Sequence, residues 1–287
     1  MEPTTVLNLA VQLAVPRLGD LALVDLLGRR GLELAAVASY SPSATQELEE
    51  LRDRYPVDPT GPHPVAQAVR ENKPIWVRNR TDLGLQELSQ SEEHLAFMRR
   101  QGYRSSVVCP LRDERGTAIG AFSVLRFASR LPFGPLERDL VAELVKRTSR
   151  AYANATLYDR LRSRLSVLEE AFDSVDCGIT LLDGRGFRLY ANRVAARLIG
   201  KEEPAEVCGR LAGWLERPEP FVDISGRPLP PTAFPPLAVL ERRAEQSVLP
   251  ISCRAGGVLV KATAIERADG RFVLCQLTPL RDGSKAI

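Results

Sequence analysis

Apolar and polar positions change period along the chain, and each change marks an element. From Thr4 to Val15 apolar residues recur at helical spacing up to Pro16, which predicts an amphipathic helix. Leu21 to Leu27 and Leu32 to Tyr40 are β-prone runs joined by Gly28-Arg29-Arg30-Gly31, a hairpin signal. Asp25 interrupts the first run and is expected to face away from its apolar neighbours. Thr45 to Tyr55 reads as a helix, and Pro56, Pro59, Pro62 and Pro64 impose a loop after it. A short helix over Val65 to Glu71 and a short strand over Ile75 to Val77 follow. Ser89 and Glu92 have capping-box spacing and open a helix toward Arg100. Ser106 to Leu111 and Ala118 to Phe127 form a second hairpin around Asp113-Glu114-Arg115-Gly116.

Next comes a stretch without Gly or Pro, Leu136 to Val175. Pro135 suits a first helical position, and Glu137 and Asp139 put negative charge at the positive end of the helix dipole. Apolar or small residues recur at Leu144, Thr148, Ala151, Ala155, Tyr158, Leu161, Leu165, Leu168, Phe172 and Val175. Their steps of four and three are the rhythm of a coiled-coil seam, with one stammer between Tyr158 and Leu161. A helix of this length spans about 60 Å, more than one small domain needs. The residues around Ala151 to Arg164 are polar on the outer face. The seam is therefore predicted to pair with the same seam of a second chain, giving a homodimer.

Beyond the helix, Gly178 to Asp183 and Phe187 to Ala191 read as strands around a Gly184-Arg185-Gly186 turn. Asn192 is placed to cap a helix from Arg193 to Ile199, with Gly200 at its left-handed exit. A short helix is expected from Pro204 to Glu216, and the Pro-rich residues 218–236 read as irregular. Ser247 to Cys253, Val258 to Ile265 and Phe272 to Leu280 are strands, joined at Gly256-Gly257 and Ala268-Asp269-Gly270. The order predicts an α+β fold of two antiparallel-sheet domains joined by a long α-helix.

The first half resembles the GAF family. The residues that carry the likeness are the early hairpin, His63-Pro64-Val65-Ala66-Gln67-Ala68-Val69, Gly102-Tyr103-Arg104-Ser105-Ser106-Val107-Val108-Cys109-Pro110-Leu111, and Gly120-Ala121-Phe122-Ser123-Val124. The second half resembles the PAS family through Gly178-Ile179-Thr180-Leu181-Leu182-Asp183 with Gly186, Tyr190-Ala191-Asn192, Ala195 to Gly200, and Asp223 to Pro230. These likenesses imply a GAF-like sensor domain over residues 1–150, a signalling helix over 136–175 and a PAS-like domain over 176–287. They also imply a pocket over each sheet. Tyr40, Tyr103, Arg104 and Ser106 are candidates to orient a ligand in the first, and Tyr190, Asn192 and Cys253 in the second. Helix capping is the competing role of Asn192.

Composition narrows the chemistry. Across 287 residues, 39 basic and 36 acidic side chains leave a net charge of +3, too small and scattered to predict a nucleic-acid partner. No apolar run reaches the roughly 18 residues of a membrane span, and the amino terminus lacks a signal peptide, so a cytoplasmic location is expected. No phosphate-cradling GxxxxGK[ST] loop and no GxSxG elbow is present. The two histidines, His63 and His94, lie outside any autophosphorylation motif; His63 is read as shaping a turn and His94 as a surface or half-buried residue. Five dispersed cysteines and so little histidine predict no metal centre and no disulfide framework. Haem in PAS domains needs a histidine, and none follows His94. Flavin photosensors use an Asn-Cys-Arg-Phe-Leu context that Cys208 lacks, and a bilin needs an exposed cysteine where Cys109 sits on a predicted buried strand. The cofactor is left unidentified. The chain is thus expected to be a bacterial signal-transduction sensor without catalysis of its own, serving a two-component kinase, phosphatase or other output protein. The rival expectation is the sensory part of a histidine kinase, PP2C-type phosphatase or diguanylate cyclase that lacks its catalytic domain.

Overall fold

A computed structural model describes residues 2–211, 222–253 and 256–280, and in it the chain forms two compact units, Met1–Arg162 and Ser163–Ile287.

The first unit begins with α1 (Pro3–Ala14), then the hairpin β1 (Leu21–Leu27) and β2 (Leu32–Ser39). Helix α2 (Pro42–Arg54) follows, capped by the Ser41 hydroxyl on the Ala44 N–H. Next come α3 (Pro64–Glu71), β3 (Ile75–Val77), α4 (Asp82–Leu88) and α5 (Glu92–Gln101). The cap of α5 is Ser91, whose hydroxyl accepts from the His94 N–H at 3.1 Å, and not Ser89. Ser89 instead ends α4, a helix the sequence reading did not anticipate, with its Oγ donating to the Gln86 carbonyl. Strands β4 (Tyr103–Arg112) and β5 (Ala118–Phe127) complete an antiparallel sheet in the order β2-β1-β5-β4-β3.

Strand alternation splits this sheet's side chains between two layers. Ala22, Val24, Val107, Cys109, Phe122 and Val124 pack with Leu7 and Val11 of α1 and with Val141 and Val145 of the long helix. Leu21, Leu23, Leu125 and Phe127 point the other way, onto α2, α4 and α5. Asp25 shares that second face and is fully buried, contrary to the expectation that it faces away from apolar groups. The reason is a partner: Arg52 of α2, 6% exposed, donates Nη2 to Asp25 Oδ1.

Helix α6 (Pro135–Asp173) runs 39 residues without a break at Tyr158. Its start is fixed by Glu137, which accepts from the Gly134 N–H at 3.1 Å and from Arg126 at 3.2 Å. Its end comes earlier than the pattern suggested. Ser174 hydroxyl turns back onto the Ala171 carbonyl, so Val175 lies outside the helix. The seam divides by environment. Thr148 and Ala155 are buried and Leu144 partly so, whereas Ala151, Tyr158, Leu161, Leu165, Leu168, Phe172 and Val175 are exposed. The residues that anchor α6 to the first unit's core, Val141 and Val145, were not in the predicted seam.

In the second unit β6 (Gly178–Asp183) and β7 (Phe187–Ala191) lead to α7 (Arg193–Ile199), which exits through Gly200 at φ 79°. A Cβ on Gly178 would lie 2.9 Å from Ala195 Cα, so the residue's lack of a side chain lets α7 sit against β6. Of the helix expected over Pro204 to Glu216, a single 3-10 turn at Pro204–Glu206 forms, and Gly209–Arg210 is instead strand β8. The rest of that helix, residues 212–216, lies outside the described ones, as do residues 218–221 of the Pro-rich stretch. The Pro-rich region contains β9 (Val222–Asp223) and a short helix, α8 (Pro235–Leu240). Strands β10 (Gln246–Cys253), β11 (Gly256–Arg267) and β12 (Gly270–Pro279) finish a sheet ordered β8-β7-β6-β12-β11-β10-β9. Its core joins Leu182, Val260, Val273 and Leu277 to Val239 of α8 and Leu198 of α7.

Candidate functional site

The second face of the first unit's sheet does not close completely on its helices. A cavity of ≈ 70 Å³ remains between β1, β4 and β5 on one side and α2, α3 and α5 on the other. That is room for about five water molecules or a small organic molecule. Leu21, Leu23, Leu48, Phe97, Met98 and Leu125 give it apolar walls. Arg52, His63, His94, Tyr103 and Ser123 give it one polar pole.

Local folding explains each polar group. On α2 the residues Ala44, Leu48, Leu51 and Arg52 form the buried face, so helical spacing alone carries Arg52 inward. On β1 Asp25 continues the inward series Leu21, Leu23. The resulting ion pair is incompletely satisfied: Asp25 Oδ2 and Arg52 Nε are buried without hydrogen-bond partners. Burial raises the Asp25 pKa, and the Arg52 charge and hydrogen bond oppose the rise.

His63 is the N-cap of α3. Its Nδ1 accepts from the Val65 N–H at 3.2 Å, which requires a neutral ring with its proton on Nε2. Burial pushes its pKa well below the ordinary histidine value, helped by Arg52, His94 and Arg80. His94 is buried rather than superficial, its Nδ1 has no partner, and burial with the Arg52 charge brings its pKa down to about 4. Ser123, 2% exposed, likewise has an unpartnered hydroxyl. Beside this pole stands Arg80, whose charge acts on both His63 and Tyr103. Arg80 Nε and Nη2 are buried without partners, and Arg80 has no ion pair among the described residues.

The seven residues singled out from sequence divide accordingly. Tyr103 lines the cavity, and the Ser106 hydroxyl bears on it. Tyr40 is 65% exposed with its ring edge-on to Phe127, 6.3 Å between centroids, and Arg104 donates to Asn79 Oδ1 at 3.3 Å; both lie outside the cavity lining. In the second unit Tyr190 packs its ring against Phe172 at 5.8 Å. Asn192 is 1% exposed and makes four hydrogen bonds. Its Oδ1 accepts from the Ala195 and Ile179 N–H groups, both at 2.8 Å, and its Nδ2 donates to the Phe172 and Cys177 carbonyls at 2.7 and 3.0 Å. Capping and tying are thus its observed contacts. The Cys253 side chain lies outside the described residues. Arg52 and Arg80 were not singled out from the sequence, and Asp25 was read there only as a break in its strand's apolar run.

Among the described residues no cluster of three or more His, Cys, Asp or Glu is arranged to hold a metal, and no helix is long and apolar enough to cross a membrane. Burial pushes the Cys109 thiol up to about 11, against a weaker opposing pull from Arg112, so at neutral pH it is a packed thiol and not a thiolate.

An antiparallel sheet with helices on both faces and a small cavity under one of them makes the first unit an α+β domain. The chain belongs to the GAF family: the GAF domain model matches residues 2–152. GAF domains of this kind occur in sensor proteins. Among solved structures, the second GAF domain of DevS from Mycobacterium smegmatis is similar at 18% identity, covering 56% of this chain and 99% of that one, with a TM-score of 0.42. The E. coli DhaR(N)-DhaL complex is similar at 14% identity over 97% of this chain and 85% of that one, with a TM-score of 0.49. A domain assigned to a two-component sensor histidine kinase of Sinorhizobium meliloti 1021 is 17% identical over 55% of this chain and 95% of that one, at a TM-score of 0.39. No curated protein matches the chain.

Proposed function

We propose that the protein is a cytoplasmic bacterial sensor, in which occupancy of the GAF cavity is transmitted along α6 to a PAS-like second unit and an output protein, with no catalysis of its own. The observation that carries this reading is the division of labour along α6. Its first turns, through Val141 and Val145, belong to the core behind the sheet whose other face lines the cavity. Its last turn is held in the second unit by the Asn192 bond to the Phe172 carbonyl and by Asp173, which accepts from the Arg193 N–H at 2.8 Å. Between these, Leu161, Leu165 and Leu168 are 47–59% exposed. Apolar side chains at seam spacing, left open over two turns, support pairing with the same segment of a second copy.

The PAS-like assignment rests on strand order. The central run β7-β6-β12-β11-β10, with the helical segments inserted between β7 and β10, agrees with the sequence likeness. A ligand that binds two states of the first unit unequally would bias the register of the paired helices.

Sedimentation equilibrium tests the pairing. The wild-type chain should sediment at twice its 31.6 kDa mass, and Leu165→Asp with Leu168→Asp should sediment at one chain mass. A wild-type monomer, or a double variant of unchanged mass, contradicts the proposal.

A further inference from the structure

In the lining of the GAF cavity charge is balanced and hydrogen bonding is not. Among the described residues, Arg52 is the one guanidinium that lines the cavity, and no Asp, Glu or Lys lines it. Arg52 already donates to the buried Asp25 carboxylate. The two lining histidines carry no charge at neutral pH, because burial keeps both unprotonated. Two lining side chains, however, lack hydrogen-bond partners. His94 Nδ1 and the Ser123 hydroxyl are buried and unmet, in residues 8% and 2% exposed. They face the same space from opposite walls, His94 from helix α5 and Ser123 from strand β5. His63 adds a third polar group: its Nδ1 is used by the Val65 N–H at 3.2 Å, which leaves Nε2–H as its donor. The set holds one fixed donor and two groups that can each donate or accept. A buried polar group left unmet is costly, so a guest that satisfies several of them at once is favoured.

We propose that this cavity binds a small uncharged amide, its head group hydrogen-bonded to His94 and Ser123 and its short apolar body against Leu48, Phe97 and Leu125. The proposal rests on the sensor reading above and gives that reading a ligand class. The space of ≈ 70 Å³ limits the guest to about five non-hydrogen atoms. A primary amide brings an acceptor oxygen and two N–H donors, which answers a lining of one donor and two ambivalent groups. A carboxylate of the same shape can only accept, and the one lining cation it would meet is already paired. An alkylammonium can only donate, and it would meet no lining carboxylate. Either ion would leave its water shell for a cavity that holds no free counter-charge.

Saturation-transfer NMR of the full chain, with propanamide, propanoate and propylamine as probes of one shape and three charges, tests the assignment. It is run at about pH 7, where the acid and the amine are both ionised. Propanamide should show saturable transfer, and the two ions should bind at least about tenfold more weakly, the minimum cost of burying an unpaired charge. Ser123→Leu, which fills the cavity, should abolish propanamide binding. Ser123→Ala adds no bulk and keeps the test open should the larger side chain unfold the domain. It should weaken propanamide about fivefold, the worth of one neutral hydrogen bond. Propanoate or propylamine binding as tightly as propanamide overturns the uncharged class and leaves the cavity a ligand site. Propanamide affinity unchanged in Ser123→Ala overturns the placement of its head group. Transfer that persists in folded Ser123→Leu puts the probe elsewhere and overturns the assignment. Saturable transfer from none of the three overturns both this assignment and the cavity's sensory role.

Discussion

Asp25 and Arg52 form the residue-scale feature on which the first unit's cavity is built. Removing one partner strands a charge in the interior, so Asp25→Leu or Arg52→Met alone should each lose about 3–5 kcal/mol of stability in urea melts. The double variant should lose clearly less than the sum, because no unpaired charge remains; additivity would show that the two do not interact. His63 and His94 set the acid limit. Their pKa values are depressed in the fold, so the unfolded chain binds more protons once the pH drops below the ordinary value of 6.5. The stability they contribute is fully present above that pH and lost as it falls below it, for His94 down to about 4. Asp25 works the other way, since its raised pKa means that the fold takes up its proton before the unfolded chain does. His94→Gln isolates the histidine contribution: its melting temperature should fall less steeply than wild type between pH 6.5 and 4.5, and a parallel decline would contradict the assignment. Much of this pole was present in the sequence as position. Arg52 follows Leu48 and Leu51 at buried-face spacing, and Asp25 alternates with Leu21 and Leu23. An isolated charge at such a place reads as an exception until its partner, 27 residues away, is known. Arg80 gave no signal at all, because it lies in an irregular segment where no period says which way a side chain points.

At the scale of elements, period and turn chemistry were enough for the sheet. Gly28 to Gly31 and Asp113 to Gly116 marked the hairpins, and β1, β3 and β5 fall on the residues their alternation predicted. Helix ends were harder. Two serines two residues apart, Ser89 and Ser91, both sit where a cap is plausible, and the extra helix α4 decides between them by ending at Leu88. The stretch after Gly200 has no consistent period, which is why a 3-10 turn and strand β8 were read as one helix. Asn192 shows how much one cap can hold. Asn192→Ala leaves two N–H groups and two carbonyls without their partner, so it should cost about 2–4 kcal/mol and lower the denaturation midpoint of the second unit's transition. A change below about 0.5 kcal/mol would mean that water replaces the side chain at all four sites.

At the scale of the whole molecule, α6 is the element that contributes residues to both units, and its seam reads differently in each part. Sequence rhythm identified a seam but not which of its positions a domain core would consume. Val141 and Val145 are taken by the first unit, and the leucines from Leu161 to Leu168 are left open. That open segment is the proposed carrier of the signal. Hydrogen–deuterium exchange of the full chain, wild type against a Ser123→Leu variant that fills the cavity, tests this most directly. Exchange of the amides from 157 to 173 should differ between the two, and the difference should vanish in the Leu165→Asp/Leu168→Asp background. A difference confined to the cavity peptides around Arg52, His94 and Ser123, with α6 unaffected, would contradict it.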